Sequence, residues 1–237
     1  MIRIVYPPKP VYEVNIFATM QLNTVIFDMD GLLIDSEPLW NEAATEILSG
    51  YGIKLTPQQY ATTTGLRTKE FIQYWFNHFK SPQQNIDSVE KDIIEKVIAL
   101  VLQKAKPMAG LSHIFNFFID RNFKIGLASS SPVKLIDVVV DLLQIRNHLH
   151  VITSAENLLH GKPHPEVYLN CAATLNTPAA ACICFEDSYY GMIAVKAAQM
   201  KCIVVPDAKT NKDPRWGAAD LKISSLLNFN ELLLQTL

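Results

Sequence analysis

Val25-Ile26-Phe27-Asp28-Met29-Asp30-Gly31 is a short apolar run that stops at two carboxylates one residue apart, followed by a glycine. With Thr24 in front, the run lacks the alternation of a half-exposed strand and suits one buried on both faces, as in a parallel sheet. Side chains alternate along a strand, so Asp28 and Asp30 leave its carboxyl end on the same side. In open α/β sheets that end is where ligands bind. Two acids there can hold a hard cation, or divide nucleophilic and proton-transfer duties between them. Read alone, the same residues also make an ordinary polar turn with Asp30-Gly31 at the bend.

The remainder of the chain decides what kind of sheet this strand joins. Residues 1–19 contain Pro7-Pro8-Lys9-Pro10 and read as an N-terminal extension, with Met20 as the expected start. Over Pro38–Ser49, Pro57–Thr63, Arg67–Phe79 and Ile86–Lys104 the pattern is helical, and no strand signal interrupts it. Asp35 or Ser36 is placed to cap the first of these helices, with Pro38 in its opening turn and Gly50 and Gly52 at its end. Residues 36–106 therefore read as a helical unit inserted after the first strand. From Leu111 strands and helices alternate. Helices are expected over Leu111–Arg121, Pro132–Leu143, Pro165–Leu175 and Ser188–Ala198. Strands are expected over Lys124–Ala128, near His150–Thr153, and over Ala181–Phe185, Lys201–Val205 and Leu221–Ile223. Such alternation predicts an α/β fold, a doubly wound parallel sheet formed by residues 20–35 and 107–237 with helices on both faces.

Composition narrows the function classes. The 237 residues suffice for a large core with a smaller insert, and a formal charge of −2 leaves no basic footprint for nucleic acid. No apolar stretch approaches the ~18 residues of a membrane span. The first twenty residues lack the apolar core of a secretory signal, so a cytoplasmic protein without a membrane partner is expected. Cys171, Cys182, Cys184 and Cys202 show no CxxC spacing and read as buried reduced thiols. His160 and His164 have the spacing of metal ligands on a helix, but Gly161, Pro163 and Pro165 forbid a helix there, which favours a plain loop over a zinc site.

Three features downstream repeat the logic of the first strand. Ile125-Gly126-Leu127-Ala128 ends in Ser129-Ser130-Ser131, and Ile183-Cys184-Phe185 ends in Glu186-Asp187-Ser188. Between them lies Gly161-Lys162-Pro163, a lysine in a loop just before a helix. Parallel strands place all their carboxyl ends on one edge, so these groups should converge. Asp28 and Asp187, with Glu186, would then surround an oxygen-loving cation, Mg²⁺ being the usual choice beside a phosphate. Ser129 and the backbone N–H groups around Ser130 could donate to phosphate oxygens, with Lys162 adding positive charge. Asp28 could attack phosphorus, and Asp30 protonate the departing alkoxide and later activate water. Each piece has an ordinary alternative: a serine run or Glu186-Asp187-Ser188 capping the next helix, Lys162 a solvated loop lysine.

Asp28-Met29-Asp30-Gly31, Ser129, Lys162 and Glu186-Asp187 together resemble the four motifs of the haloacid dehalogenase superfamily, from about Leu22 to the C-terminus. The resemblance implies a Rossmann-like core, an Mg²⁺-dependent aspartyl-phosphate mechanism, and metal ligation by Asp28, the backbone carbonyl of Asp30, and Asp187. It further implies that the helical insert is a cap closing over a small phosphorylated metabolite. The run from Asp28 to Trp40, with Gly65-Leu66-Arg67 in the cap, is similar to the β-phosphoglucomutase-like branch, and most to its phosphatases of 2-deoxyglucose 6-phosphate and hexitol phosphates. There Gly65, Arg67 and Trp40 are the expected substrate contacts of the cap. Mutases of this branch typically carry histidine at the place of Trp40, which favours hydrolysis over mutation. The 2-haloacid dehalogenases typically lack the second acid, so Asp30 points to phosphate chemistry. A catalytically silent sugar-phosphate binder is the remaining alternative, and no essential motif residue is missing. The simplest assembly for a capped chain of this kind is a monomer.

Overall fold

The computed structural model describes residues 21–81 and 85–237. The expected extension over residues 1–19 and the expected start at Met20 lie outside the described residues. The first strand, β1, is Thr24–Phe27, and all four of its residues are buried. Five helices follow before the next strand: α1 (Glu37–Ser49), α2 (Pro57–Ala61), α3 (Thr68–His78), α4 (Ile86–Lys104) and α5 (Leu111–Ile119). The alternating part then runs β2 (Lys124–Ser129), α6 (Val133–Leu142), β3 (Val151–Ser154), α7 (Glu166–Thr174), β4 (Cys182–Glu186), α8 (Tyr189–Ala197), β5 (Lys201–Val204) and β6 (Leu221–Lys222). A short helix, α9 (Glu231–Gln235), ends it.

All six strands are parallel, in the order β3-β2-β1-β4-β5-β6. The chain builds outward from β1 to one side through β2 and β3, then crosses to the other side for β4. The reversal lies at β1 itself, the place where an open α/β sheet leaves a crevice at its carboxyl edge.

Strand alternation divides the core in two. Val25 and Phe27 join Ile125, Leu127, Ile183 and Phe185 on one face of the sheet, together with the inner residues of α5 and α6. Ile26 joins Ala128, Cys184 and Cys202 on the other face, against α7 and α8. Phe27 lies 5.3 Å from Phe115 of α5 and 5.2 Å from Phe185 of β4, centroid to centroid, so aromatic packing pins α5 to the centre of the sheet. Within the insertion, α1 and α3 both pack on α4.

Helix starts depart from expectation for a reason that bears on the site. Ser36 stands at the N-cap of α1 yet makes no side-chain cap bond. Its hydroxyl is donated to Asp30 instead. The serine run does not cap α6 either: Pro132 holds that N-cap position. Ser188 does cap α8, its Oγ accepting from the Gly191 N–H at 3.0 Å. The four cysteines are free and buried, as their setting suggests. No helix among the described residues is long and apolar enough to cross a membrane.

Candidate active site

Register places the acids before any side chain is considered. Phe27 stands beside Leu127 on one side and Phe185 on the other. The next residue, Asp28, donates its N–H to the Phe185 carbonyl at 3.0 Å, which carries it alongside Glu186. Lys162 enters from the loop before α7 and is 2% exposed. Its ammonium donates to Asp28 Oδ1 at 2.7 Å and to Glu186 Oε1 at 2.6 Å. Glu186 Oε1 also accepts from the Tyr168 hydroxyl, and Oε2 accepts from the Ser188 N–H at 3.2 Å and Oγ at 3.0 Å. Glu186 is thus fully engaged in holding Lys162 against Asp28.

Asp28, Glu186 and Asp187 each offer an oxygen atom, and these atoms lie within 4.8 Å of one another. Among the described residues they are the one group of three or more such side chains placed to hold a metal. Burial raises the Asp28 carboxyl to about 7, with Glu186 and Asp30 adding to the rise and Lys162 opposing it. Asp187 is pushed well above the ordinary carboxyl range by burial and by Asp28 and Glu186. An all-oxygen set of crowded acids, opposed by a single ammonium, fits a hard divalent cation such as Mg²⁺. Since both Glu186 oxygens are taken, Asp28 and Asp187 are the side chains with coordination to spare. Gly31 makes this approach possible: its φ is +72°, and a Cβ there would lie 2.1 Å from Asp187 Oδ2.

The Asp30 side chain lies outside that cluster. Its Oδ1 accepts from Ser36 Oγ at 2.6 Å and from the Trp40 indole N–H at 2.9 Å, while Oδ2 accepts from Ser131 Oγ at 2.6 Å. Sequence reasoning placed Trp40 on the substrate. Trp40 does line the cavity beside Asp28, but its polar atom orients Asp30. Ser36 and Ser131 were missed as positioning residues. The one signal for them was their place directly beside recognised motif residues.

At the junction with the insertion, one further expectation, that for Arg67, needs correction. Ser130 lines the cavity and donates its hydroxyl to the Gly65 carbonyl at 2.8 Å, so this side chain also ties the sheet edge to the insertion. Gly65 has φ +89°, and a Cβ there would lie 2.6 Å from Ser188 Oγ, so only glycine lets the insertion come this close. Arg67 does not line the cavity that contains Asp28. Its Nη1 donates to the Leu158 and Ala155 carbonyls at 2.7 and 3.3 Å, and its Nη2 pairs with Glu70. It clamps the start of α3 onto the loop that leads to Lys162. The cavity itself, about 70 Å³, is lined by Asp28, Asp30, Ser129, Lys162 and Asp187. Glu37 and Tyr60 line it as well, and neither was singled out from the sequence.

A family model described as haloacid dehalogenase-like hydrolase matches residues 25–205, a span that contains every one of these motif residues. The chain belongs to that family. Among curated members, hexitol phosphatase B of Escherichia coli K12 is 37% identical over 207 residues, 87% of this chain and 93% of that protein. Fructose-1-phosphate phosphatase YqaB of the same organism is 26% identical over 183 residues, 76% of this hydrolase and 95% of its own length. Among solved structures, β-phosphoglucomutase from Clostridium difficile superposes with a TM-score of 0.81 at 22% identity, covering 91% of this hydrolase and 96% of that chain. CbbY from Rhodobacter sphaeroides, solved with phosphate, superposes at 0.82 and 22% identity, covering 92% and 100%. These structures share the fold, a parallel sheet with helices inserted between its first two strands.

Proposed function

We propose that this hydrolase is an Mg²⁺-dependent phosphatase of small sugar and sugar-alcohol phosphates, working through an aspartyl phosphate on Asp28. The observation that carries the reading is the buried Lys162 ammonium 2.7 Å from Asp28, next to a separately held second acid, Asp30. An Asp28 oxygen attacks phosphorus as the ester P–O bond breaks, and Asp30 delivers a proton to the departing alkoxide. Asp30 then takes a proton from water as that water attacks phosphorus and releases Asp28. Ser129 and Lys162 bind the equatorial phosphoryl oxygens throughout. Mg²⁺, held by Asp28, Asp187 and the Asp30 carbonyl, would neutralise charge on the phosphoryl group.

The names of the relatives support sugar and hexitol phosphates as the substrate class. Mutase activity needs a cation for the distal phosphate, and Arg67, the candidate, does not line the cavity and commits Nη1 to two loop carbonyls and Nη2 to Glu70. We place the enzyme in the cytoplasm as a monomer, with the phosphorylated metabolite as its partner. Asp28→Asn should abolish phosphate release from p-nitrophenyl phosphate and from sugar phosphates while circular dichroism stays unchanged. EDTA should silence the enzyme and added Mg²⁺ restore it. Turnover that survives either treatment overturns the mechanism.

A further inference from the structure

Among the polar side chains of the cavity that the chemistry above does not use are Glu37 and Tyr60. Glu37 reaches it from the first turn of α1 and Tyr60 from α2, so both sit where the insertion faces the sheet edge. Among the described residues the Tyr60 hydroxyl has no hydrogen-bond partner. Burial raises the Tyr60 phenol, with Glu37 and Asp30 adding to the rise, and burial beside Asp30 and Asp28 raises the Glu37 carboxyl to about 8. A phenol and a carboxyl that line one cavity, each only partly buried and with no hydrogen bond to the rest of the chain among the described residues, are free to exchange water for a ligand hydroxyl. The cationic content of the cavity matters equally. Lys162 is its single lysine or arginine, already paired with Asp28 and Glu186.

We infer that Tyr60 and Glu37 recognise a hydroxyl of the leaving group, so that this hydrolase selects neutral polyhydroxylated monophosphates and disfavours leaving groups bearing a second anion. The inference rests on the phosphatase reading and sharpens its substrate class. A sugar or polyol hydroxyl can accept from the Tyr60 O–H and donate to Glu37 at once, satisfying both. A plain alkyl or aryl leaving group leaves both unpaired, and sites built to hydrogen-bond a hydroxyl discriminate strongly against analogues without one. A carboxylate or second phosphate on the leaving group would meet a cavity lined by four acids, Asp28, Asp30, Glu37 and Asp187, with no free cation to offset it.

The test is steady-state kinetics of the full chain with Mg²⁺ on sorbitol 6-phosphate, p-nitrophenyl phosphate, phosphoglycolate and glucose 1,6-bisphosphate. Tyr60→Phe keeps the ring packed on Phe71, whose centroid is 5.8 Å away, and removes only the hydroxyl. Its kcat/KM ratio of sorbitol 6-phosphate to p-nitrophenyl phosphate should fall about tenfold, chiefly through KM, the loss of one hydrogen bond. The wild-type enzyme should prefer sorbitol 6-phosphate to both doubly anionic esters. A wild-type preference that Tyr60→Phe leaves intact overturns the role of Tyr60 alone. A wild-type enzyme that cleaves p-nitrophenyl phosphate but no polyhydroxylated ester overturns the substrate class, and this inference with it.

Discussion

Lys162 has an ammonium group enclosed between two carboxylates, and its side chain is 1% exposed. Removing one partner of such a buried arrangement leaves uncompensated charge, which typically lowers stability by about 3–5 kcal/mol. Lys162→Met should therefore lower the urea midpoint in the absence of metal and reduce kcat by roughly 10²-fold or more. A variant as stable and as active as the wild type would show that Glu186 and Asp28 need no cation from the chain. The residues of this cluster were legible because each ends a strand or opens a loop at a recognisable motif. The roles of Trp40, Ser36 and Ser131 were not. Ser131 lies 101 positions from the Asp30 it holds, and no local pattern records such a partnership. For Ser36 the local pattern misleads, since a serine before Glu37-Pro38 has the form of a helix cap and is spent elsewhere.

At the scale of elements, the insertion meets the sheet edge through the turn before α3. Gly65 accepts from Ser130, and Arg67 reaches the Ala155 and Leu158 carbonyls. Both contacts tie closure of the insertion to the loops that carry Ser129 and Lys162. Arg67→Ala should loosen this tie while leaving the two cores of the sheet intact. The expected result is a several-fold higher KM for sugar phosphates, on the scale of about 1 kcal/mol per hydrogen bond lost. Protease cleavage between β1 and α1 or between α4 and α5 should be faster, with little change in the urea midpoint. Unchanged KM and cleavage would show that the clamp does not govern closure. The existence and type of the central helices and strands were readable from periodicity, whereas their ends shifted by a residue or two where tertiary partners took over the caps. The short α9 had too few residues for a periodic signal, and an exposed Leu232 blurs its apolar face.

Across the whole molecule, the alternating pattern sufficed to foresee a parallel doubly wound sheet, because a helix between successive strands is the crossover that brings the next strand back parallel. Burial within that fold also sets the behaviour of the thiols. Burial pushes Cys171 up to about 12 and Cys182 up to about 11. Because these folded-state values lie above those of the unfolded chain, their contribution to stability is complete below about pH 8.5 and is lost as the pH climbs toward the folded values. The urea midpoint should fall steadily between about pH 9 and pH 11. At pH 8 a disulfide reagent should label no cysteine of the native protein and all four after denaturation, because all four are buried. Rapid labelling of the native state would contradict this. The central position of β1 also has a consequence for synthesis on the ribosome. Thr24 pairs with Lys124 on one side and Cys182 on the other. This fully buried strand therefore emerges before either of its sheet partners and waits while the entire insertion is translated. That interval makes the nascent chain a client for holding chaperones until β4 supplies the Phe185 carbonyl that accepts from the Asp28 N–H.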